Sequence, residues 1–204
     1  MSRGPSTAAR RTTGKVGTAA RAAPHELRVI GGLWRGRKLV VPERPGLRPT
    51  PDRVRETLFN WLGQDLSGWR VLDAFAGSGA LGIEAASRGA SAVRLIELEP
   101  VVVAALRAAR ERLQAQAVLQ VERGDAFAWM GAASKRGFEL VLLDPPFDAT
   151  GAAHAALVLA LPLVVPGGWI YVEAAQPLDL LPAGLREHRR LRAGAVCAQL
   201  LQVD

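Results

Sequence analysis

The sequence predicts an α/β fold in which helices cover both faces of a doubly wound, mostly parallel sheet. From about residue 70 onward, apolar runs of strand length alternate with stretches of helical periodicity. The connections between them are short, and the first strand-like run leads directly into a glycine-rich turn that opens a helix. Because crossovers between parallel strands are right-handed, this alternation places helices on both sides of one sheet.

Length and composition set the broad class. The chain has 204 residues, enough for one sizeable α/β domain with an appendage, and 49% of them are apolar. The single cysteine, Cys197, permits no internal disulfide, and no cluster of His or Cys suggests a metal site. The longest apolar run, residues 155–165, is too short to span a bilayer, and the N-terminus lacks the apolar segment of a signal peptide. We therefore expect a cytoplasmic monomer that uses neither a membrane nor a metal.

Positive charge is concentrated at the start of the chain. Residues 1–57 carry 13 Lys and Arg against 4 Asp and Glu, a net charge of +9, whereas the remaining residues carry 13 against 15, a net charge of −2. Localised basic charge favours a nucleic-acid partner, with a solvated basic tail as the alternative. Residues 1–24 contain no acid and almost no large apolar side chain, which predicts a disordered basic tail.

Residues 25–63 predict a β-hairpin and a helix that together contact RNA. Two β-rich runs, residues 27–30 and 38–41, flank a centre rich in Gly and Arg. An aromatic ring beside cations on such a ribbon could stack on a base while the cations pair with phosphates, although Trp34 could equally pack against the domain. Three basic side chains would project beside Trp34: Arg35, Arg37 and Lys38.

The helix that follows is predicted over about residues 52–62, with Thr50 as its N-cap and Pro51 at its first position. Basic side chains near a helix N-terminus can grip phosphates. Ion pairs with Asp52 or Glu56 are the structural alternative. The three candidates are Arg48, Arg53 and Arg55.

The main α/β domain is predicted from residue 64 to the C-terminus. Uninterrupted apolar runs such as residues 138–143 suit parallel strands that are buried on both faces. A final pair of strands, near residues 186–193 and 195–203, would close a seven-stranded sheet in antiparallel fashion. The parallel strands are predicted near residues 70–74, 92–97, 117–122, 138–143 and 169–174, and the helices near 79–88, 100–114, 125–133 and 151–161.

The stretch RVLDAFAGSGALG, from Arg70 to Gly82, has the pattern of a nucleotide-binding turn. Glycines let the backbone approach a ligand, and the free N–H groups of the first helical turn face it. The spacing of Gly77, Gly79 and Gly82 also fits the dinucleotide fingerprint, so the turn alone does not identify the cofactor.

Two further acids would complete a site for an adenosine-containing cofactor. Glu97 ends the second strand, 20 residues after Gly77, where a carboxylate accepts hydrogen bonds from both ribose hydroxyls. Glu99 is the nearby alternative for the ribose, but it lies just before Pro100, past the strand and at the helix entry. At the end of the third strand, Asp125 and Ala126 would face the adenine amine, and Asp125 could also cap the following helix.

The sequence Asp144-Pro145-Pro146-Phe147 ends the fourth strand, where ligands of open α/β sheets bind. The two prolines remove two N–H donors and leave carbonyl acceptors. We expect Asp144 and the Pro145 carbonyl to bind the hydrogens of an exocyclic amine while Phe147 stacks on the base. These contacts would orient the amine toward a methyl donor. The alternative is that Asp-Pro-Pro-Phe forms an ordinary turn without a role in binding.

Together these motifs resemble the S-adenosylmethionine-dependent amino-methyltransferases, and in particular the bacterial small-subunit rRNA guanine-N2 methyltransferase family. The resemblance runs from about residue 27 to the C-terminus and is carried by RVIGGLWRGRKL, LRPTPDRVRETLFNWL, DAFAGSGALGIEAASRGA and LLDPPF. Asp73, four residues before the first glycine, fits methyltransferases and not the usual dehydrogenase fingerprint. The resemblance implies a Rossmann-like class I fold and methylation of one loop guanine of 16S rRNA, on assembled or partly assembled small subunits.

The resemblance also implies roles for individual residues. Glu97 would bind the ribose of S-adenosylmethionine, and Asp125 with Ala126 would contact its adenine. Asp144, Pro145 and Phe147 would hold an unpaired or extruded guanine. Four residues would hold the methionine part of the cofactor: Asp73, Phe75, Gly77 and Gly79.

Three other functions are compatible with parts of this sequence. A DNA adenine-N6 methyltransferase would share the Asp-Pro-Pro-Phe motif but usually carries a larger recognition domain. A nicotinamide dehydrogenase would need an acid/base partner for hydride transfer, and none is evident. A non-catalytic RNA-binding assembly factor would tolerate a broken core, whereas every core motif is intact.

Overall fold

A computed structural model of the chain describes Met1 and residues 25–44, 47, 50–133, 137–146 and 151–204. The predicted tail after Met1, and the candidate residues Arg48 and Phe147, lie outside the described residues.

Helices and strands alternate along most of the described chain, as predicted. The chain begins with a pair of short strands and a helix, and the alternation starts after them. The elements are β1 (His25–Arg28), β2 (Lys38–Val41), α1 (Asp52–Trp61), β3 (Arg70–Asp73), α2 (Ala80–Ser87), β4 (Ala92–Glu97), α3 (Pro100–Arg112), β5 (Leu119–Arg123), α4 (Ala126–Ala132), β6 (Phe138–Leu143), α5 (Ala152–Ala160), β7 (Val164–Ala174), β8 (Leu185–Ala193) and β9 (Val196–Val203).

Seven strands form one sheet in the order β5-β4-β3-β6-β7-β9-β8. Strands β5, β4, β3, β6 and β7 are parallel, and β9 runs antiparallel to both of its neighbours. The prediction of a mostly parallel seven-stranded sheet with an antiparallel C-terminal strand is confirmed. Because β3 lies between β4 and β6, the chain winds away from β3 in both directions, and a crevice opens at the carboxyl ends of these strands.

The sheet separates two hydrophobic cores. The hairpin and helices α1, α2 and α3 pack on one face, whereas α4 and α5 pack on the other. In β6, Leu140 and Leu142 belong to the first core, and Val141 and Leu143 belong to the second. Successive residues of a strand point to opposite faces, so a strand covered on both sides must be apolar throughout.

Strands β1 and β2 form a separate antiparallel hairpin that is docked on α2. The backbone N–H of Trp34 donates to Ser87 Oγ at 2.9 Å, and that of Ile30 donates to Glu84 Oε2 at 2.9 Å. A Cβ at Gly32 would lie 1.8 Å from the Ser87 carbonyl oxygen, so a glycine is needed for this close approach. The N-terminal extension is therefore a fixed neighbour of the helix that follows the glycine-rich turn.

Two predicted boundaries are wrong. Helix α1 starts at Asp52 with Pro51 as its N-cap, because the Pro51 carbonyl accepts the N–H groups of Val54 and Arg55. Thr50 turns inward instead and is 7% exposed. Strand β7 begins at Val164, five residues early, through a register shift opposite the start of β6. Within the described ranges, no helix is long and apolar enough to cross a membrane.

Candidate active site

Three carboxylates lie in a row where neighbouring strands end. Val71, Leu142 and Tyr171 share one core, so the acids two residues further along are expected on that same face. No Lys or Arg in the described part of the chain forms an ion pair with any of the three. The three acids therefore lie together without a pairing cation from the described residues. They are Asp73 of β3, Asp144 after β6 and Glu173 of β7.

Asp73 is fixed beneath the glycine-rich turn. It is 2% exposed, and its Oδ2 accepts the backbone N–H of Gly82 at 2.9 Å. Burial raises the pKa of Asp73 to about 7, opposed by the Gly82 hydrogen bond and reinforced by repulsion from Glu97 and Glu173. An acid in this state gains strongly from a cationic ligand.

Glu97 holds the glycine-rich turn from the neighbouring strand. Its Oε2 accepts the backbone N–H of Gly77 at 2.9 Å, and its Oε1 accepts that of Glu99 at 2.8 Å. The turn depends on left-handed backbone at Gly77 (φ +50°) and at Gly79 (φ +78°), where glycine is favoured. Each carboxylate oxygen keeps a second lone pair for a ribose hydroxyl.

Asp125 and Phe75 border the crevice on the β5 side. Asp125 is exposed and caps α4, because its Oδ1 accepts the backbone N–H of Ala128 at 2.8 Å. The capping role predicted for Asp125 is confirmed, and Ala126 behind it is buried. The ring of Phe75 meets that of Phe127 edge-on, with centroids 5.3 Å apart, so an aromatic pair joins the glycine-rich turn to α4.

Asp144 and Pro145 occupy the carboxyl end of β6. Asp144 is half-buried, Pro145 is buried and Pro146 is exposed. Burial raises the pKa of Asp144 well above its usual range, with repulsion from Glu173 and Asp73 added. No side chain or backbone N–H in the described ranges donates to its carboxylate. The carboxylate oxygens of Asp144 therefore have lone pairs available for a ligand.

Glu173 is an acid of this site that sequence reasoning missed. It is 4% exposed and accepts the hydroxyl of Tyr171 at 2.8 Å. Burial raises the pKa of Glu173, whereas hydrogen bonds from Tyr171 and Thr50 oppose the rise. An acid inside the strand WIYVEA is the signal that could have identified it, because an ionisable group rarely occupies such a strand without a partner.

The predicted RNA contact by Arg55 is wrong. Arg55 is 1% exposed, and its guanidinium group is used entirely inside the protein. It donates to the carbonyls of Thr50 and Arg28 and pairs with Asp52 and Glu84. The alternative prediction, an ion pair between Arg55 and Asp52, is the correct one. The contact with Glu84 joins α1 to α2.

The other basic candidates within the described ranges lie on the surface. Arg35, Arg37 and Arg53 are exposed, and exposed Lys38 pairs with Glu26 at 2.8 Å. Trp34 does not stand beside them as a stacking platform. It is 9% exposed and packs in the core with α2, as the alternative prediction held.

The residues of the crevice fit S-adenosylmethionine. The cofactor carries an ammonium group and a sulfonium group, and no cation of the described residues pairs with the row of acids. Glu97 and Asp125 keep acceptor lone pairs for a ribose and an adenine amine. The left-handed glycines expose backbone at the place where such a ligand would lie.

This fold and this site define an S-adenosylmethionine-dependent methyltransferase. A family model described as Conserved hypothetical protein 95 matches residues 27–202. The Escherichia coli protein named ribosomal RNA small subunit methyltransferase D is 42% identical over 192 residues, covering 87% of this chain and 90% of that protein. The chain belongs to the family that this model describes, as a relative of methyltransferase D.

Two further comparisons agree. The Haemophilus influenzae protein of the same name is 40% identical over 162 residues, covering 78% of this chain and 84% of its own. A solved Escherichia coli structure, described as a candidate methyltransferase, is 38% identical and superposes with a TM-score of 0.80. It covers 88% of this chain and 99% of that one.

Proposed function

We propose that the protein transfers a methyl group from S-adenosylmethionine to the exocyclic N2 amine of one guanine in 16S rRNA. The position of Asp144 and Pro145 carries the proposal. They lie at the carboxyl end of β6, next to the strand whose end begins the glycine-rich turn. A carboxylate and a proline carbonyl supply two acceptors for the two hydrogens of an exocyclic amine. The names of the relatives support rRNA as the substrate class.

Residues on three strands would hold the cofactor. Asp73 and the backbone around Gly77 and Gly79 would bind its methionine part, with Phe75 packing beside it. Glu97 would accept the ribose hydroxyls, and Asp125 with Ala126 would contact the adenine. When bound, the cofactor supplies a methyl group on a positively charged sulfur, which makes that carbon an acceptor for an amine lone pair.

The chain contributes orientation and a proton acceptor. Asp144 and the Pro145 carbonyl would hold the amine hydrogens so that the nitrogen lone pair faces the methyl donor, and Phe147 would stack on the base. Asp144 would then take the proton that the amine loses when its new bond to carbon forms. Alignment of the two reactants provides most of the rate enhancement in such a transfer, and a positioned base adds a further factor.

The N-terminal extension would deliver the RNA. Its exposed cations would contact phosphates, and the hairpin is fixed to α2 by Ser87 and Glu84, so the contacts hold a constant relation to the crevice. The basic tail at residues 1–24 would add affinity that does not depend on sequence. Acting as a cytoplasmic monomer, the enzyme would modify assembled or partly assembled small subunits.

Replacement of Asp144 tests this proposal. Asp144→Asn keeps the shape of the side chain and removes its charge, so methyl transfer to small subunits should fall by about 100-fold or more. Affinity for S-adenosylhomocysteine should stay within about threefold of the parent value, because Asp144 is assigned to the base. The control is Asp179→Asn, which changes an exposed acid on the surface and should leave transfer intact. Unchanged turnover in Asp144→Asn would contradict the assignment.

A further inference from the structure

Glu173 has no part in the reaction described so far. It is the only acid of β7, and it lies among apolar residues at 4% exposure. A buried carboxylate is costly unless hydrogen bonds or a cation compensate it. No cation from the described chain pairs with Glu173. A functional role would account for a carboxylate at this buried position.

The pairing of β6 and β7 brings Glu173 next to Asp144. Leu142 pairs with Tyr171, and Leu143 pairs with Val172. Continued by one residue, this register sets Asp144 opposite Glu173. Leu142 and Tyr171 lie in the same core, so the two acids that follow them at a spacing of two project from the same face.

Glu173 is held by the hydroxyl group of Tyr171, from its own strand. The Tyr171 hydroxyl donates to its Oε1 at 2.8 Å, and Tyr171 is itself completely buried. Thr50 is buried in the N-terminal extension, and its carbonyl accepts Arg55 Nε at 3.2 Å. The Tyr171 hydrogen bond stabilises the ionised form of Glu173.

We propose that Glu173 is a positioning residue for methyl transfer, whose buried carboxylate keeps Asp144 a strong proton acceptor where the target amine loses its proton. This inference rests on the proposed function. Two carboxylates that share a buried site cannot both ionise easily, so the charge of one increases the proton affinity of the other. The proton released by the amine moves to Asp144 and then to solvent, which restores the carboxylate.

Among the residues that the structure describes, the charged and titratable groups around the pair do not offset this effect. Asp73 faces it from β3, and Tyr171 contributes a phenol from β7 itself. Cys197 approaches Tyr171 from β9, and burial raises the pKa of this thiol, so it stays neutral. The Arg55 guanidinium contacts the Thr50 carbonyl and is paired with Glu84 and Asp52.

The pH dependence of Glu173→Gln tests the inference. The variant keeps the shape of the side chain and removes its charge, so the proton affinity of Asp144 should fall. The acid limb of the pH–rate profile for methyl transfer should therefore move to lower pH, by about one unit. Carbon-13 NMR of labelled Asp and Glu carboxyl groups, in the protein without cofactor, should show Asp144 titrating lower by the same amount. A merely structural role would change the rate without moving either quantity.

Tyr171→Phe supplies a second variant if Glu173→Gln folds poorly. It keeps Glu173 but removes a hydrogen bond that stabilises its charge, so the limb should move in the same direction by a smaller amount. The inference alone is overturned if the parent enzyme methylates small subunits but neither variant moves the acid limb or the titration of Asp144. Parent enzyme that fails to methylate small subunits overturns the proposed function, while the NMR titration still reports on the pairing of the two acids.

Discussion

The carboxylate of Asp73 accepts the backbone N–H of Gly82 at 2.9 Å, which ties the end of β3 to the first turn of α2. The contact requires that residue 82 have no side chain. A Cβ there would lie 2.3 Å from Leu95 Cδ2 and 2.9 Å from Asp73 Oδ2. The third glycine of the turn therefore serves packing between helix and sheet, and it sets the position of the acid assigned to the cofactor.

Gly82→Ala should destabilise the fold and weaken cofactor binding together. Overpacking of this kind costs about 1–3 kcal/mol of unfolding free energy, and displacement of Asp73 should lower the affinity for S-adenosylhomocysteine. The matched control is Gly131→Ala in α4, where the nearest atom to a new Cβ is Leu159 Cδ2 at 4.0 Å. Chemical denaturation and calorimetry measure both effects, and equal behaviour of the two variants would contradict the packing role of Gly82.

The raised pKa of Asp73 predicts that cofactor affinity depends on pH. The pKa of about 7 means that Asp73 binds a proton below that pH, and the cationic methionine part requires the ionised form. Affinity for S-adenosylhomocysteine should therefore be highest near pH 8 and should fall by up to about tenfold per unit below pH 7. Asp73→Asn should bind weakly and lose this slope. Titration calorimetry at several pH values decides, and an equal slope in the variant would exclude Asp73 as its source.

Two arginines two residues apart should behave oppositely. Arg55→Ala leaves Glu84 buried without one of its partners, so the protein should lose about 3–5 kcal/mol of stability. Arg53→Ala removes an exposed cation and should leave stability within about 0.5 kcal/mol. Thermal unfolding of both variants separates these outcomes. Arg53→Ala should bind RNA more weakly while keeping the stability of the parent protein. An Arg55→Ala protein as stable as the parent would contradict the structural role of Arg55.

The hairpin cations should contribute affinity without sequence preference. Replacing Arg35 and Arg37 by Ala should weaken binding to cognate and unrelated RNA by similar factors. It should also reduce the slope of log affinity against log salt by about two, one for each lost phosphate contact. Arg112→Ala, an exposed arginine at the end of α3, is the control and should leave the slope unchanged. A slope that is unaffected in the double variant would remove the hairpin from the RNA interface.

Local patterns predicted the strand ends and the glycine-rich turn well. The strand end at Asp73, the turn at Gly77 and Gly79, and the strand end at Glu97 each depend on residues close in sequence, and each lies where it was expected. Asp144 followed from the apolar run before it in the same way. Such features are encoded within about ten residues, which single-sequence reasoning can use.

Features that depend on neighbours distant in sequence could not be predicted. Arg55 is buried because Glu84, 29 residues later, and the hairpin enclose it. Glu173 gains its place beside Asp144 only through the pairing of β6 with β7. Thr50 matches the pattern of an N-cap, but it is buried and Pro51 caps the helix instead. In each case tertiary contacts override a local preference.

The most direct test of the central claim is transfer of a radiolabelled methyl group from S-adenosylmethionine to small ribosomal subunits from a strain that lacks this enzyme. Nuclease digestion and chromatography then identify the modified base and its position. We predict label in 16S rRNA as N2-methylguanine at a single position, and none with Asp144→Asn. Label in DNA, in protein or on another base would contradict the account.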